Sequence, residues 1–123
     1  MPCHGCRIEK CSNEASHQQA EQDINRSVHQ EIQALFARQG YKTGVQKGRM
    51  QGFFHGTGHG VGLQIHEAPS IGKRPSTLRA GHVVTVEPGL YYLGLGGVRI
   101  EDMALVRKRD SRCLTRVPKQ LEI

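Results

Sequence analysis

The apolar pattern of the chain changes once, near residue 40, and this change restricts the folds that are open to it. Upstream of that point, apolar residues recur at helical spacing: Ile24, Val28, Ile32, Leu35 and Phe36. Ser16 and Gln19 form a capping-box pattern ahead of them, and Gly40 follows them. The pattern predicts a helix from about residue 17 to about residue 39, whose apolar stripe packs on a sheet.

Downstream of residue 50 the chain consists of short β-forming runs separated by Gly and Pro. The runs are GFFH, VGLQIH, HVVTVE, LYYL and GVRIEDMALV. Because no helical segment lies between them, they favour an antiparallel sheet. The last run is predicted to be one long strand, with Val98 and Ile100 on one face and Arg99 and Glu101 on the other. The predicted fold class is therefore α+β.

The stretch HGTGHGVG, residues 55–62, places two histidines among four glycines, and His66 follows closely. Glycine loses much conformational entropy on folding, so such a run indicates a tight turn or a close approach of the backbone to another group. Two interpretations are open. The stretch is either a surface loop with incidental histidines or a loop that brings histidine to a metal ion or a substrate.

Two carboxylates stand at exposed points of the predicted strands. Glu87 ends the run HVVTVE directly before Pro-Gly, and Glu101 follows Arg99 in the last run. Each has a simpler explanation by itself, as a solvated turn residue or as half of a surface charge pair. Together with an imidazole from His55, His59 or His66, however, two carboxylates on rigid strands form a ligand set suited to Mn, Co, Fe or Zn. Carboxylates can also bridge two ions about 3.5–4 Å apart, as hydrolytic two-metal sites require.

The composition indicates one modest domain of 123 residues with a net charge of +6. The sequence shows no apolar run of the roughly 18 residues that a membrane span needs, and no signal peptide. We therefore expect a cytoplasmic protein without membrane partners. The basic residues are not interleaved with aromatic ones, which favours a solvated basic face over a nucleic-acid partner.

Three cysteines near the N-terminus, Cys3, Cys6 and Cys11, raise the alternative of a zinc site, with His4 or His17 as a further ligand. No second C-x-x-C pair accompanies them. A terminus with reduced thiols is the simpler interpretation.

Three motifs occur in an order that resembles the pita-bread-fold metallopeptidases: HGTGHGVGLQIHEAPS, GHVVTVEPGLYY and GVRIEDMALV. That family includes methionine aminopeptidase, aminopeptidase P and prolidase, and the form FFHGTGHGVGL is more similar to the members that cleave at Xaa-Pro. The resemblance runs from about Ile24 to about Val106. It implies the C-terminal half of that fold, in which a long helix packs on a curved antiparallel sheet.

The resemblance also implies a set of metal ligands. In the family, two aspartates, a histidine and two glutamates hold two divalent ions. By resemblance, His59 is the histidine ligand, and Glu87 and Glu101 are the glutamates, with Glu101 bridging the ions. The implied reaction is the removal of N-terminal residues, at Xaa-Pro, by a metal-activated water whose proton Glu87 handles.

The remaining roles implied by the resemblance concern the peptide substrate. His66 would stabilise the tetrahedral oxyanion and contact the substrate, a contribution worth about 3 kcal/mol in comparable sites. His55 would line the substrate pocket. Arg99 would support the site or bind polar groups of the peptide.

The aspartate ligands of the family have no counterpart ahead of the predicted helix, because the sequence contains only Asp23, Asp102 and Asp110. We therefore expect residues 1–15 to be a poorly ordered or atypical N-terminal segment and residues 16–123 to be a partial catalytic domain. Such a chain is expected to be inactive or weakly active alone. The alternative is a non-catalytic module that binds peptides or partners. Because a lone half exposes an apolar sheet face, we also expect self-association or pairing with a missing N-terminal half.

Overall fold

The computed structural model describes the backbone of residues 14–119 and the side chains of residues 25–119. Nearly all of the predicted N-terminal segment 1–15 lies outside this part. The candidate zinc ligands Cys3, Cys6 and Cys11 lie outside it as well.

The predicted helix is confirmed as α1, which spans Glu14–Arg38. It ends as the sequence indicates. Gly40 adopts a φ of 87°, a left-handed conformation that glycine accepts without steric penalty. The amide of Tyr41 donates to the carbonyl of Phe36 at 2.9 Å, which satisfies one of the last carbonyls of the helix.

Short strands make up the rest of the described chain. In chain order they are β1 (Gly44–Gln46), β2 (Arg49–Gln51), β3 (Gly58–Gly60), β4 (Glu67–Ile71), β5 (Val83–Val86), β6 (Gly89–Tyr92), β7 (Gly96–Arg99), β8 (Asp102–Val106) and β9 (Ser111–Cys113). Five of them form one antiparallel sheet in the order β4-β3-β5-β8-β9, while β1-β2 and β6-β7 form two hairpins. With α1 packed against β4, the expected α+β fold class is confirmed.

The glycines of the central strand β3 allow its two neighbours to approach closely. A Cβ atom on Gly58 would overlap the carbonyl oxygen of Thr85 in β5, and one on Gly60 would overlap the carbonyl oxygen of Ala68 in β4. His59 therefore stands between two positions at which a side chain has no room. The glycine run is explained here by strand packing rather than by a turn.

The apolar core of the described residues is small, with Phe53, Ile71 and Val84 fully buried. The face of α1 that meets the sheet buries two polar residues, Asn25 and His29. By contrast, Leu35 of the predicted apolar stripe is 46% exposed. The expectation that this stripe packs on the sheet is thus met only in part.

Two of the predicted strands are not strands. The run GFFH contributes only a single bridge, between Gly52 and Tyr91. The run VGLQIH is a loop, in which the amide of Gln64 donates to Glu67 at 3.3 Å and Leu63 and Ile65 face outward. The alternating pattern was misleading because no neighbouring strand covers these apolar side chains.

The last run, predicted as one long strand, is interrupted at Ile100 and Glu101. Its first part, β7, pairs with β6, and its second part, β8, pairs with β5. Register places this break opposite Glu87 and Pro88, because Gly89 pairs with Arg99 and Val86 pairs with Asp102. Pro88 has no amide to donate, so the ladder cannot continue through it.

Candidate active site

His59 is held on β3 by one contact of its backbone and one of its ring. Its amide donates to Oγ1 of Thr85 at 3.0 Å. Its Nδ1 lies 3.0 Å from the carbonyl oxygen of Gly60. A carbonyl only accepts, so Nδ1 carries a proton and Nε2 is the atom left for chemistry.

Glu87, at the end of β5, meets that free nitrogen. Its Oε1 lies 3.0 Å from Nε2 of His59, and both side chains are largely buried, at 13% and 17% exposure. Thr85 donates its hydroxyl to the same Oε1 at 3.0 Å. A proton or a cation between Nε2 and Oε1 would satisfy both atoms, which is the arrangement expected of two neighbouring metal ligands.

Arg99 approaches the other carboxylate oxygen of Glu87. Its Nε lies 3.6 Å from Oε2, and its side chain is half exposed. The guanidinium therefore orients Glu87 more than it stabilises the fold, because exposed ion pairs contribute little to stability. Sequence reasoning placed these two residues in one site, and the structure brings them together.

His66 lies against His59, although it belongs to the loop before β4. The two ring centroids are 4.3 Å apart with an interplanar angle of 49°. An open cavity of about 390 Å³ lies beside them and is lined by His59, His66, Glu67, Ala68, Ser70 and Ser76. The exposed imidazole of His66 therefore has access to a group bound near His59.

His55 lies in a separate aromatic cluster. Its Nε2 is 3.2 Å from the hydroxyl of Tyr91, and its Nδ1 is 2.7 Å from the carbonyl of Gly56. Nδ1 therefore carries the proton, and Nε2 accepts from Tyr91. Phe54 packs against Tyr91 with ring centroids 5.5 Å apart. Tyr91 was missed by sequence reasoning, although its place four residues after Glu87 was a usable signal.

Glu101 is exposed and lies at the break between β7 and β8. Within the side chains that the structure describes, residues 25–119, no three or more His, Cys, Asp or Glu residues form a group that could hold a metal ion. The described chain therefore offers His59 and Glu87 as two neighbouring donors but does not by itself fit a two-metal site. The third predicted ligand, Glu101, is not joined to them.

The family model described as Metallopeptidase family M24 matches residues 8–108. This match decides to which protein family the motifs belong. The chain belongs to metallopeptidase family M24. The resemblance stated from the sequence is thereby confirmed, and members of this family use divalent metal ions.

Individual relatives agree with this assignment. A Xaa-Pro dipeptidase from Pyrococcus horikoshii is 49% identical over 62 residues, which cover 50% of this chain and 18% of that protein. The solved dipeptidase from Pyrococcus horikoshii matches with a TM-score of 0.66 and 35% identity, over 86% of this chain and 30% of its own. An X-Pro aminopeptidase from Thermotoga maritima matches with a TM-score of 0.67 and 30% identity, over the same 86% and 30%. The chain thus spans less than a third of the length of these relatives.

Three polar residues that support this site were not predicted from the sequence: Thr57, Thr85 and, through its bond to Thr57, His29. Thr85 bonds to both His59 and Glu87, and Thr57 accepts the amide of Glu87 through its carbonyl at 2.7 Å. The buried position of Thr85 within the apolar run HVVTVE was a signal that could have found it.

None of the helical segments in residues 14–119 has the length and apolarity that crossing a bilayer requires.

Proposed function

We propose that this chain is part of a metal-dependent peptidase of the aminopeptidase P and prolidase type, which removes N-terminal residues at Xaa-Pro. The observation that carries the proposal is the contact between Nε2 of His59, on β3, and Oε1 of Glu87, directly after β5, which lie 3.0 Å apart and are supported by Thr85. Support also comes from relatives named as Xaa-Pro dipeptidases and aminopeptidases.

In the complete domain, His59, Glu87 and Glu101 would be ligands of two divalent ions. Bound ions of this kind supply an activated water and a polarised scissile carbonyl. The side chains of residues 25–119 do not complete that site. Ahead of the glycine-rich loop, Asp23 is the one aspartate in the sequence. We therefore propose that the chain alone is inactive or nearly so, and that residues 16–123 supply one part of a catalytic domain.

The other side chains of the site would act on the peptide. His66 lines the open cavity and would donate a hydrogen bond to an oxyanion formed near His59. Tyr91 fixes the ring orientation of His55, which would line the pocket together with Phe54. Arg99 would hold Glu87 in the orientation that faces His59.

A chimeric enzyme tests the peptidase function directly. Residues 24–106 would replace the matching segment of the dipeptidase from Pyrococcus horikoshii, which supplies the rest of a catalytic domain. We expect the chimera to hydrolyse an Xaa-Pro dipeptide in the presence of Mn²⁺ or Co²⁺, and the variants His59→Ala and Glu101→Ala to lose that activity. The variant His82→Ala, outside the site, is the matched control and should retain it.

Glu101 is exposed, and the described side chains form no group of three metal-binding residues, which favours a second candidate function, a peptide- or partner-binding module without turnover. A folded chimera that binds dipeptide but does not hydrolyse it would support this second function and contradict the first. Calorimetric titration of the natural chain with Co²⁺ adds an independent comparison. Binding that is lost in both His59→Ala and Glu101→Ala favours the peptidase.

A further inference from the structure

Helix α1 meets the candidate site through two polar side chains one turn apart. Asn25 and His29 are 0% and 1% exposed, and they share one face of the helix. Asn25 donates to the carbonyls of Ser70 and Ser76, at 2.5 and 3.0 Å. His29 contacts a different segment, the one that leads into β3. Each of these side chains is thus bonded through one nitrogen, while Oδ1 of Asn25 and Nε2 of His29 are buried without a hydrogen-bond partner among the described residues.

His29 reaches Thr57, whose polar groups are bonded to three different parts of the fold. Nδ1 of His29 lies 2.9 Å from Oγ1 of Thr57. The amide of Thr57 donates to the carbonyl of Ile71 at 2.7 Å, and its carbonyl accepts the amide of Glu87 at 2.7 Å. Thr57 is fully buried and precedes His59 by two residues. A displacement of Thr57 would therefore be passed to both His59 and Glu87.

The surroundings of His29 favour the neutral form of its imidazole. Burial lowers the pKa of His29, and the positive charge of Lys73 and the neighbouring His55 lower it further. Its Nε2 is buried and has no hydrogen-bond partner among the residues that the structure describes. The ring also packs against Phe53, with centroids 5.3 Å apart. Packing on Phe53 thus holds the ring of His29, and the hydroxyl of Thr57 holds its Nδ1.

We propose that His29 is a positioning residue that acts through Thr57 to fix the relative placement of His59 and Glu87. This role for His29 rests on the proposed function, because the metal-binding role of His59 and Glu87 is itself proposed. A histidine that served only to fill the core would need its ring packing on Phe53 but not its bond to Thr57. The two interpretations therefore differ in what happens when the bond alone is removed.

Two substitutions separate the bond from the packing. The amide of asparagine reaches the position of the imidazole Nδ1, whereas the amide of glutamine reaches that of Nε2. His29→Asn should keep the bond to Thr57, and His29→Gln should lose it, while both lose the ring contact with Phe53. On the other side of the bond, Thr57→Ser keeps the hydroxyl and Thr57→Val removes it. The latter pair provides an independent test should the histidine variants fail to fold.

Amide hydrogen exchange in the natural chain is the first measurement, and it requires neither metal nor activity. We expect the Glu87 amide, which donates to Thr57, to exchange about tenfold faster in His29→Gln and Thr57→Val than in the wild type. In His29→Asn and Thr57→Ser it should exchange within about threefold of the wild-type rate. The control is the Val106 amide, which donates to the carbonyl of His82 at the end of β5 opposite to Glu87 and should not change. Equal acceleration of both amides in every variant would show a loss of global stability only and overturn the proposal.

Titration with Co²⁺ is the second measurement. We expect His29→Gln to weaken Co²⁺ binding about tenfold, as loss of an outer-shell contact does in other metal sites. His29→Asn should bind Co²⁺ nearly as well as the wild type. If the wild type binds no Co²⁺, the metal-binding function of this chain is wrong, while the exchange data still decide whether His29 positions Glu87. An unchanged Glu87 amide in both bond-removing variants would refute the positioning role even where Co²⁺ binds.

Discussion

The Nε2 atom of His59 lies 3.0 Å from Oε1 of Glu87, across two adjacent strands of the five-stranded sheet. One buried hydroxyl contacts both residues, because Oγ1 of Thr85 accepts from the amide of His59 and donates to the carboxylate of Glu87. The bonds to Thr85 therefore hold His59 and Glu87 in place, in addition to the attraction between the two side chains. Such fixed geometry is what a ligand pair needs before a metal ion binds.

We expect the variant Thr85→Val to destabilise the chain and to loosen this pair. Valine fills nearly the same volume but leaves the amide of His59 without an acceptor in a position that is 2% exposed. The loss should be about 1–3 kcal/mol in the free energy of unfolding, measured by urea denaturation. Thr85→Ser, which keeps the hydroxyl, is the control. A loss as large in Thr85→Ser would show that the effect is not specific to the hydroxyl and would contradict this argument.

The close approach of β3 to its neighbours predicts that Gly58→Ala is not tolerated. A methyl group at this position would overlap the backbone carbonyl of Thr85, which cannot move without breaking the strand pairing. We expect a loss of about 1–3 kcal/mol or failure to fold, measured by thermal unfolding. Gly72→Ala is the matched control, since its Cβ would meet only an ordinary contact at 3.4 Å. That control should change stability by no more than about 1 kcal/mol, and equal losses at both positions would contradict the packing argument.

The sequence predicted the elements that depend on local pattern. Helix α1 begins and ends within a few residues of its predicted bounds, because its apolar spacing and Gly40 are local signals. The runs that contain β5, β6 and β8 were also recognised. The histidine and glutamate that meet across β3 and β5 were chosen from motifs, and the structure brings them together.

The errors came from contacts that no local pattern encodes. Leu63 and Ile65 alternate as strand residues do, yet both face outward because no element covers them. The break at Glu101 depends on which strands pair across Pro88, a relationship between segments distant in sequence. His29 was missed for the same reason. Its partner Thr57 is 28 residues away, and a polar residue beside an apolar stripe gives no sign of burial.

The buried, neutral His29 predicts a specific dependence of stability on pH. Its pKa is lowered from 6.5 by burial and by Lys73 and His55, so the unfolded chain binds a proton more readily than the folded one. This contribution is fully present above about pH 6.5 and is lost as the pH falls from there towards the folded pKa. Below the folded pKa both states are protonated and the contribution no longer changes.

The measurement is the free energy of unfolding of the wild type and of His29→Gln between neutral and mildly acidic pH. The wild type should lose stability more steeply than the variant, by at most about 1.4 kcal/mol per pH unit for this one proton. Because the other histidines are present in both proteins, the difference isolates His29. Parallel pH curves would contradict the assignment of a neutral His29.

The exposed loop between β3 and β4 predicts self-association. Leu63 is fully exposed and Ile65 is 77% exposed, and both lie in the loop that leads to His66. Burying one such side chain contributes about 1.5–3 kcal/mol, so a contact between two copies through this loop would be substantial. We expect concentration-dependent association by sedimentation velocity. The double variant Leu63→Ser and Ile65→Ser should weaken it about tenfold or more. The control Val117→Ser, at another exposed apolar position, should leave the association unchanged. A wild type that stays monomeric at its highest soluble concentration would exclude this interface.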